Sequence, residues 1–290
     1  MDTVESLQVE LAWLRNLASY RLWVHRTRPP RASGRVYTGD ISIYYQSCGS
    51  GEPVLMLHGG FSSADTWAPQ VVALAPHYRT VAMDSRGHGR TTLGRLPLTY
   101  RQMARDAVTL IESLDLGPVH LVGWSDGGCT ALAIAMDRPE LLRSMTLLGT
   151  PYNTDNYSAD AWRAIDDFLR PTAAELLVVR AMRHLMSPEP WDGSAFVERM
   201  TEMWKTLPDF TLEDLRCIET PTLVIGCDRD EFLSHEGDPL SVFRATAEAI
   251  PDATLEAITG GSHSVSILRP SEVNRLILDF LAQYKTRSAR

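Results

Sequence analysis

Cysteine is scarce in this chain. Four residues, Cys48, Cys129, Cys217 and Cys227, are spread over 290 positions with no CxxC pair, which argues against a disulfide framework and a zinc site alike and reads as reduced core thiols. Positive charge is also in deficit: 28 Lys and Arg against 36 Asp and Glu leave a net charge of −8, a field that repels phosphate backbones and removes nucleic acid from the expected partners. No stretch approaches the ~20 apolar residues that a bilayer-spanning helix needs, so no transmembrane segment is expected. The N-terminus carries Asp2, Glu5 and Glu10 where a secretory leader carries positive charge, and a cytoplasmic protein is expected. Internal repeats and low-complexity segments are absent, as are metal-ligand clusters and phosphate-binding loops, so no cofactor or metal is expected.

What is present is a large apolar fraction, 44%, enough for one elaborated domain or two ordinary ones. Residues 1–34 stand apart. Val4, Leu7, Leu11, Leu14, Leu17 and Ala18 recur at helical spacing before a basic run ending at Pro29-Pro30, which predicts an appended amphipathic helix packed on the domain or on a second copy of the chain, as in a homodimer, with a membrane surface as the alternative. From Arg35 the period changes. Val36-Tyr37 and Ile41 to Tyr45 flank Gly39-Asp40 as a hairpin. Short apolar runs at 53–57, 80–83 and 119–122 then alternate with helical spacing at 66–74, 100–114 and 127–136, the pattern of a mostly parallel, doubly wound α/β sheet. Further strands are expected at 144–148, 222–225 and 254–258. About 70 residues separate the first two of these, far beyond an ordinary connection, and helices are expected there over 159–169, 173–186 and 194–207. Residues 154–220 therefore read as a helical cap inserted between core segments 35–153 and 221–290. A last helix is expected over 271–284 with Ser271 as its N-cap.

A serine hydroxyl is a weak nucleophile until a base takes its proton, so it must be presented exposed, near a histidine and near donors for the developing oxyanion. Gly123-Trp124-Ser125-Asp126-Gly127 follows a buried strand and opens a helix, the strand–turn–helix context of a nucleophile elbow. The competing reading is that Ser125 only caps that helix. His58-Gly59-Gly60-Phe61, directly after the strand at 53–57, would supply backbone N–H donors. Gly60 and Asp126 are the expected oxyanion pair and Phe61 the reserve. His58 itself reads as structural.

With Asp84-Ser85-Arg86-Gly87-His88-Gly89, the cap insertion and a late Gly-Ser-His, these motifs resemble the α/β-hydrolase superfamily over residues 35–285. The Gly-Trp-Ser-Asp-Gly-Gly elbow is similar to that of the valacyclovir-hydrolase and biphenyl-hydrolase-like serine esterases. The resemblance implies an α/β-hydrolase fold and a catalytic triad of Ser125, an acid after the strand following the cap, and His263 in Gly260-Gly261-Ser262-His263. Here the usual Gly-x-x-Asp turn is displaced: Gly226-Cys227-Asp228-Arg229-Asp230-Glu231 gives Asp230 as the acid and Asp228 as the fallback. It also implies two alternatives for Asp126, either binding a substrate ammonium or contributing its N–H alone. The cap residues Trp162, Phe168, Trp191, Phe196, Trp204, Met182, Met186, Met200 and Met203 could line an apolar pocket or form cap core. The activity implied is hydrolysis of a small-molecule carboxylic ester through an acyl-enzyme. Carbon–carbon bond hydrolysis, lactonase or perhydrolase chemistry, and a receptor-like protein with a slow triad, are the alternatives.

Overall fold

The computed structural model describes residues 3–168, 186–189, 193–234 and 237–285. Eight strands form one sheet in the order β1-β2-β4-β3-β5-β6-β7-β8. They are β1 (Arg31–Tyr37), β2 (Ser42–Cys48), β3 (Pro53–Leu57), β4 (Arg79–Met83), β5 (Val119–Trp124), β6 (Leu142–Leu148), β7 (Thr222–Cys227) and β8 (Ala253–Ile258). β1 pairs antiparallel with β2, and β2 with β4; every later pairing is parallel. The hairpin closes with Tyr37 opposite Ser42 around Gly39, whose φ of +89° a side chain would resist. The first strand starts at Arg31, already paired with Cys48, so the N-terminal segment gives way to sheet a few residues before position 35.

The central strands β3 and β5 are largely apolar because both faces are covered, whereas the edge strand β8 is only partly buried. Along β3, Val54 and Met56 meet Trp67, Val71 and Leu74 on one side. Leu55 and Leu57 meet Ile41, Met103 and Leu132 on the other. Each such fully buried aliphatic side chain contributes roughly 1.5–3 kcal/mol. The first face carries α1 (Thr3–Thr27), α2 (Ala68–Leu74), α9 (Val265–Leu268) and α10 (Pro270–Gln283); the second carries α3 (Tyr100–Ser113), α4 (Asp126–Asp137) and α8 (Pro239–Ala249). This is the doubly wound sheet of an α/β-hydrolase fold. Between β6 and β7 lie α5 (Ala159–Phe168), α6 (Gly193–Thr206) and α7 (Leu212–Arg216). The helix expected over 173–186 falls, except for Met186, outside the described residues.

Two local expectations are corrected. The last helix starts at Pro270 with Arg269, not Ser271, in the cap position, because proline's fixed φ and missing N–H suit the first helical turn. In α1, Leu7, Leu11 and Leu14 face outward. The helix docks instead through Ala12, Asn16 and the flanks of Trp13, Tyr20 and Trp23, which offer more area and a buried hydrogen bond from Asn16 Nδ2 to the Ile267 carbonyl at 2.9 Å.

Candidate active site

Ser125 sits between β5 and α4 with φ +54° and ψ −119°, a conformation that costs of order 1–3 kcal/mol for a residue with a Cβ. The strain is held by close packing. Cβ atoms on Gly123 or Gly127 would strike the Gly127 backbone or the Leu57 carbonyl, and one on Gly128 would strike Thr150. The Ser125 N–H donates to the Leu148 carbonyl at 2.9 Å. Although Ser125 occupies the N-cap position, its hydroxyl makes no capping bond; the side chain is left half-exposed at the turn.

The loop after β3 folds against this elbow. Gly59 and Ser62 close a turn in which Phe61 adopts φ +53°. A Cβ on Gly59 would lie 3.2 Å from Ser125 Cβ, and one on Gly60 would lie 2.7 Å from Asp126 Oδ2. The N–H groups of Gly60 and Asp126 donate to no acceptor among the described residues. His58 holds the loop from beneath: its Nε2 accepts from the Ser85 N–H at 3.0 Å, which leaves Nδ1–H to donate to the Gly59 carbonyl at 2.7 Å. Burial lowers its pKa and keeps it neutral. Asp84 adds a second tie by accepting from the Ala64 N–H at 2.7 Å and from Arg90.

His263 follows β8 and is buried. Its Nδ1–H donates to Asp230 Oδ2 at 2.8 Å, which leaves Nε2 as the basic nitrogen. Asp230 is fixed in turn by the N–H groups of Phe232 and Leu233, both at 3.0 Å. Burial alone would lower the His263 pKa, but the Asp230 carboxylate outweighs it and the pKa is raised. Asp228 is committed elsewhere, accepting from the Gly260 N–H at 2.6 Å. The two loops meet the elbow at Gly149, next after Leu148, where a Cβ would lie 3.2 Å from His263 Nδ1 and 3.5 Å from Asp230 Oδ2. Trp124 Nε1–H donates to the His263 carbonyl at 3.0 Å, tying the residue before Ser125 to the histidine. No Ser125 Oγ–His263 hydrogen bond is formed; in substrate-free hydrolases that bond is often long and tightens as substrate binds.

Asp126 is buried, and both its side-chain partners are neutral: Tyr100 OH donates at 2.8 Å and Trp204 Nε1–H at 3.0 Å. Burial drives its pKa up to about 6 against the pull of those two hydrogen bonds. Trp204 belongs to α6, so this contact joins the inserted segment to the elbow. Phe61 packs edge-on against both Phe196 and Trp204, at ring separations of 5.3 and 5.4 Å. Phe196, Met200 and Met203 are buried in the core, whereas Trp162 is partly exposed and stacks edge-on against Tyr157. Met182, Trp191 and the side chain of Phe168 lie outside what the structure describes.

The Alpha/beta hydrolase family matches residues 54–276. The chain belongs to that family. The protein described as carbamate hydrolase RutD from Azorhizobium caulinodans is 26% identical over 262 residues, 84% of this chain and 97% of its own length. Serine hydrolase BPHL of Mus musculus is 27% identical over 266 residues, 86% of each chain. Among solved structures, the meta-cleavage product hydrolase CumD from Pseudomonas fluorescens IP01 superposes with a TM-score of 0.71 at 22% identity, covering 86% of this chain and 97% of that one. At that identity the likeness speaks for the fold alone.

Two residues at the site of this hydrolase carry no motif in the sequence: Tyr100, which donates to Asp126, and Glu231. Glu231 Oε2 accepts from the His263 N–H at 3.0 Å, and its buried Oε1 has no hydrogen-bond partner among the described residues. Burial raises its pKa. Its adjacency to Asp230 was the only available signal, and an acidic residue in a loop carries too little information to be singled out.

Proposed function

We propose that the chain is a serine hydrolase that cleaves a small-molecule carboxylic ester through an acyl-enzyme on Ser125. His263 Nε2 takes the Ser125 proton as Oγ attacks the acyl carbon. Asp230 holds Nδ1–H and stabilises the imidazolium, while the N–H groups of Gly60 and Asp126 receive the oxyanion. His263 then protonates the departing alkoxide, and water, deprotonated by the same base, releases the acid. The observation carrying this reading is the 2.8 Å bond from His263 to Asp230 beside the strained Ser125 turn. The test is turnover of p-nitrophenyl esters graded by acyl length. Ser125→Ala is expected to lower kcat by at least about 10⁴-fold; turnover that survives the substitution would refute the nucleophile.

A second reading concerns Asp126. Among the described residues its buried carboxylate has neutral hydrogen-bond donors and feels His263 as its one cation, an environment that a substrate ammonium would complete. On this reading Asp126→Ala loses far more kcat/KM on amino-acid esters than on acetyl esters; equal losses contradict it.

A further inference from the structure

α1 has two apolar faces, and only one is used. Val9, Ala12, Trp13, Asn16, Tyr20 and Trp23 turn toward the domain. On the opposite side Leu7, Leu11, Leu14 and Leu22 are 49–57% exposed, with exposed Ala18 between them. At 100° per residue these five positions fall within an arc of about 80°. Exposed Arg15 and Arg26 border the stripe on one side and Arg21 on the other, with Glu10 as the acidic residue on that second border. Arg15, Arg21 and Arg26 form no ion pair among the described residues. In a chain of net charge −8, unpaired cations gathered around a leucine stripe need a separate reason, and the field that matters at a contact is the local one, since screening removes charges beyond about 8–10 Å.

We propose that this outward face of α1 docks on an anionic lipid surface, the leucines entering the acyl boundary and the arginines pairing with phosphate headgroups. The geometry is that of a helix lying in the interface plane. Each cation is expected to add roughly fivefold to partitioning. A second copy of the chain fits less well. The stripe is symmetric about the Leu14–Arg15 peptide, pairing 7 with 22 and 11 with 18, so a two-fold antiparallel match sets Arg15 beside its own copy. It also brings Arg21 beside Glu10 on the border they share, so that pair would be answered while Arg15 and Arg26 would not. Because α1 is bonded to Ile267, four residues beyond His263, a docked helix would hold that loop near the lipid surface.

The test is flotation of the full chain with vesicles of phosphatidylcholine alone or with about one-third phosphatidylglycerol. The wild type is expected to float with the anionic vesicles only and to be released by salt. Leu11→Ser/Leu14→Ser is expected to bind about tenfold more weakly or worse. Arg15→Gln/Arg21→Gln/Arg26→Gln, which leaves the leucines in place, is expected to lose the preference for anionic lipid. Unchanged thermal unfolding checks that each variant folds, and the arginine variant decides the matter if the leucine variant does not fold. Failure of the wild type to float, or flotation equal to wild type in both variants, would overturn the proposal. So would a dimer in sedimentation that the leucine variant dissociates, which would assign the face to a second copy.

Discussion

Two buried carboxylates flank the reacting groups of the proposed site, one on each side, and their surroundings differ in kind. Asp230, on the β7 side, accepts from His263 and from two backbone N–H groups of its own loop. Asp126, on the elbow side, accepts from the neutral side chains of Tyr100 and Trp204, and its pKa is driven up to about 6 by burial. The first carboxylate is met by two backbone donors and by the imidazole of His263. The second is desolvated with less compensation, so near neutrality it stands close to accepting a proton. Two acids of the same chemistry thereby stand in different surroundings.

The largest effect should come from removing charge on the β7 side. Asp230→Asn is expected to lower kcat about 10³–10⁴-fold, because the amide no longer fixes the Nδ1–H tautomer. Asp228→Asn, which disturbs only the Gly260 turn, should cost less than about tenfold. Comparable losses in steady-state ester hydrolysis would erase the distinction between the two residues.

On the elbow side the effect should appear in stability. Asp126 has a folded pKa of about 6 against about 3.9 unfolded. The folded state therefore holds the proton over the interval where the unfolded chain has released it, and stability contributed by this group is full below about pH 4 and lost as pH rises through about 6. Denaturant unfolding at stepped pH should show about 2–3 kcal/mol lost over that window in the wild type, and no such loss in Asp126→Asn. Trp204→Phe removes a donor that favours the carboxylate, so its midpoint should lie above the wild-type one. A midpoint that stays put would mean that the α6 contact has no electrostatic part in the site.

The smallest effect is expected at Glu231. Glu231→Gln keeps an acceptor for the His263 N–H but removes a charge that helps raise the His263 pKa. The acidic limb of the kcat/KM pH profile should move to lower pH, with less than about tenfold change on the plateau. An unmoved limb with a lowered plateau would assign Glu231 a purely structural part.

How much of this was legible in the sequence depended on whether the signal was local. The strands at 53–57 and 119–122 announced themselves because burial on both faces demands unbroken apolar runs. Ser125, Gly60, Asp126, Asp230 and His263 were named from motifs, and the structure brings Asp230 to His263, and Gly60 to Asp126, as those motifs imply. The side-chain partners of Asp126 were not legible. Tyr100 and Trp204 lie 26 and 78 residues away, and helical spacing cannot say which aromatic will turn toward the elbow. Which stripe of α1 docks on the domain was not legible for a related reason: Leu7, Leu11 and Leu14 and the set Ala12, Trp13, Asn16 and Tyr20 are both helical stripes, and only tertiary packing chooses between them. α8 was overlooked although Asp238-Pro239 is a readable start, the Asp238 side chain accepting from the Leu240 N–H at 3.0 Å.

The proposed chemistry requires Ser125 Oγ to be the group that Asp230 and His263 serve. Its most direct test is peptide mapping by mass spectrometry after reaction with a fluorophosphonate. A single adduct on the peptide carrying Ser125 is predicted, much slowed in Asp230→Asn and absent in Ser125→Ala. No adduct on the wild type, or an adduct on another residue that persists in Ser125→Ala, would contradict the account.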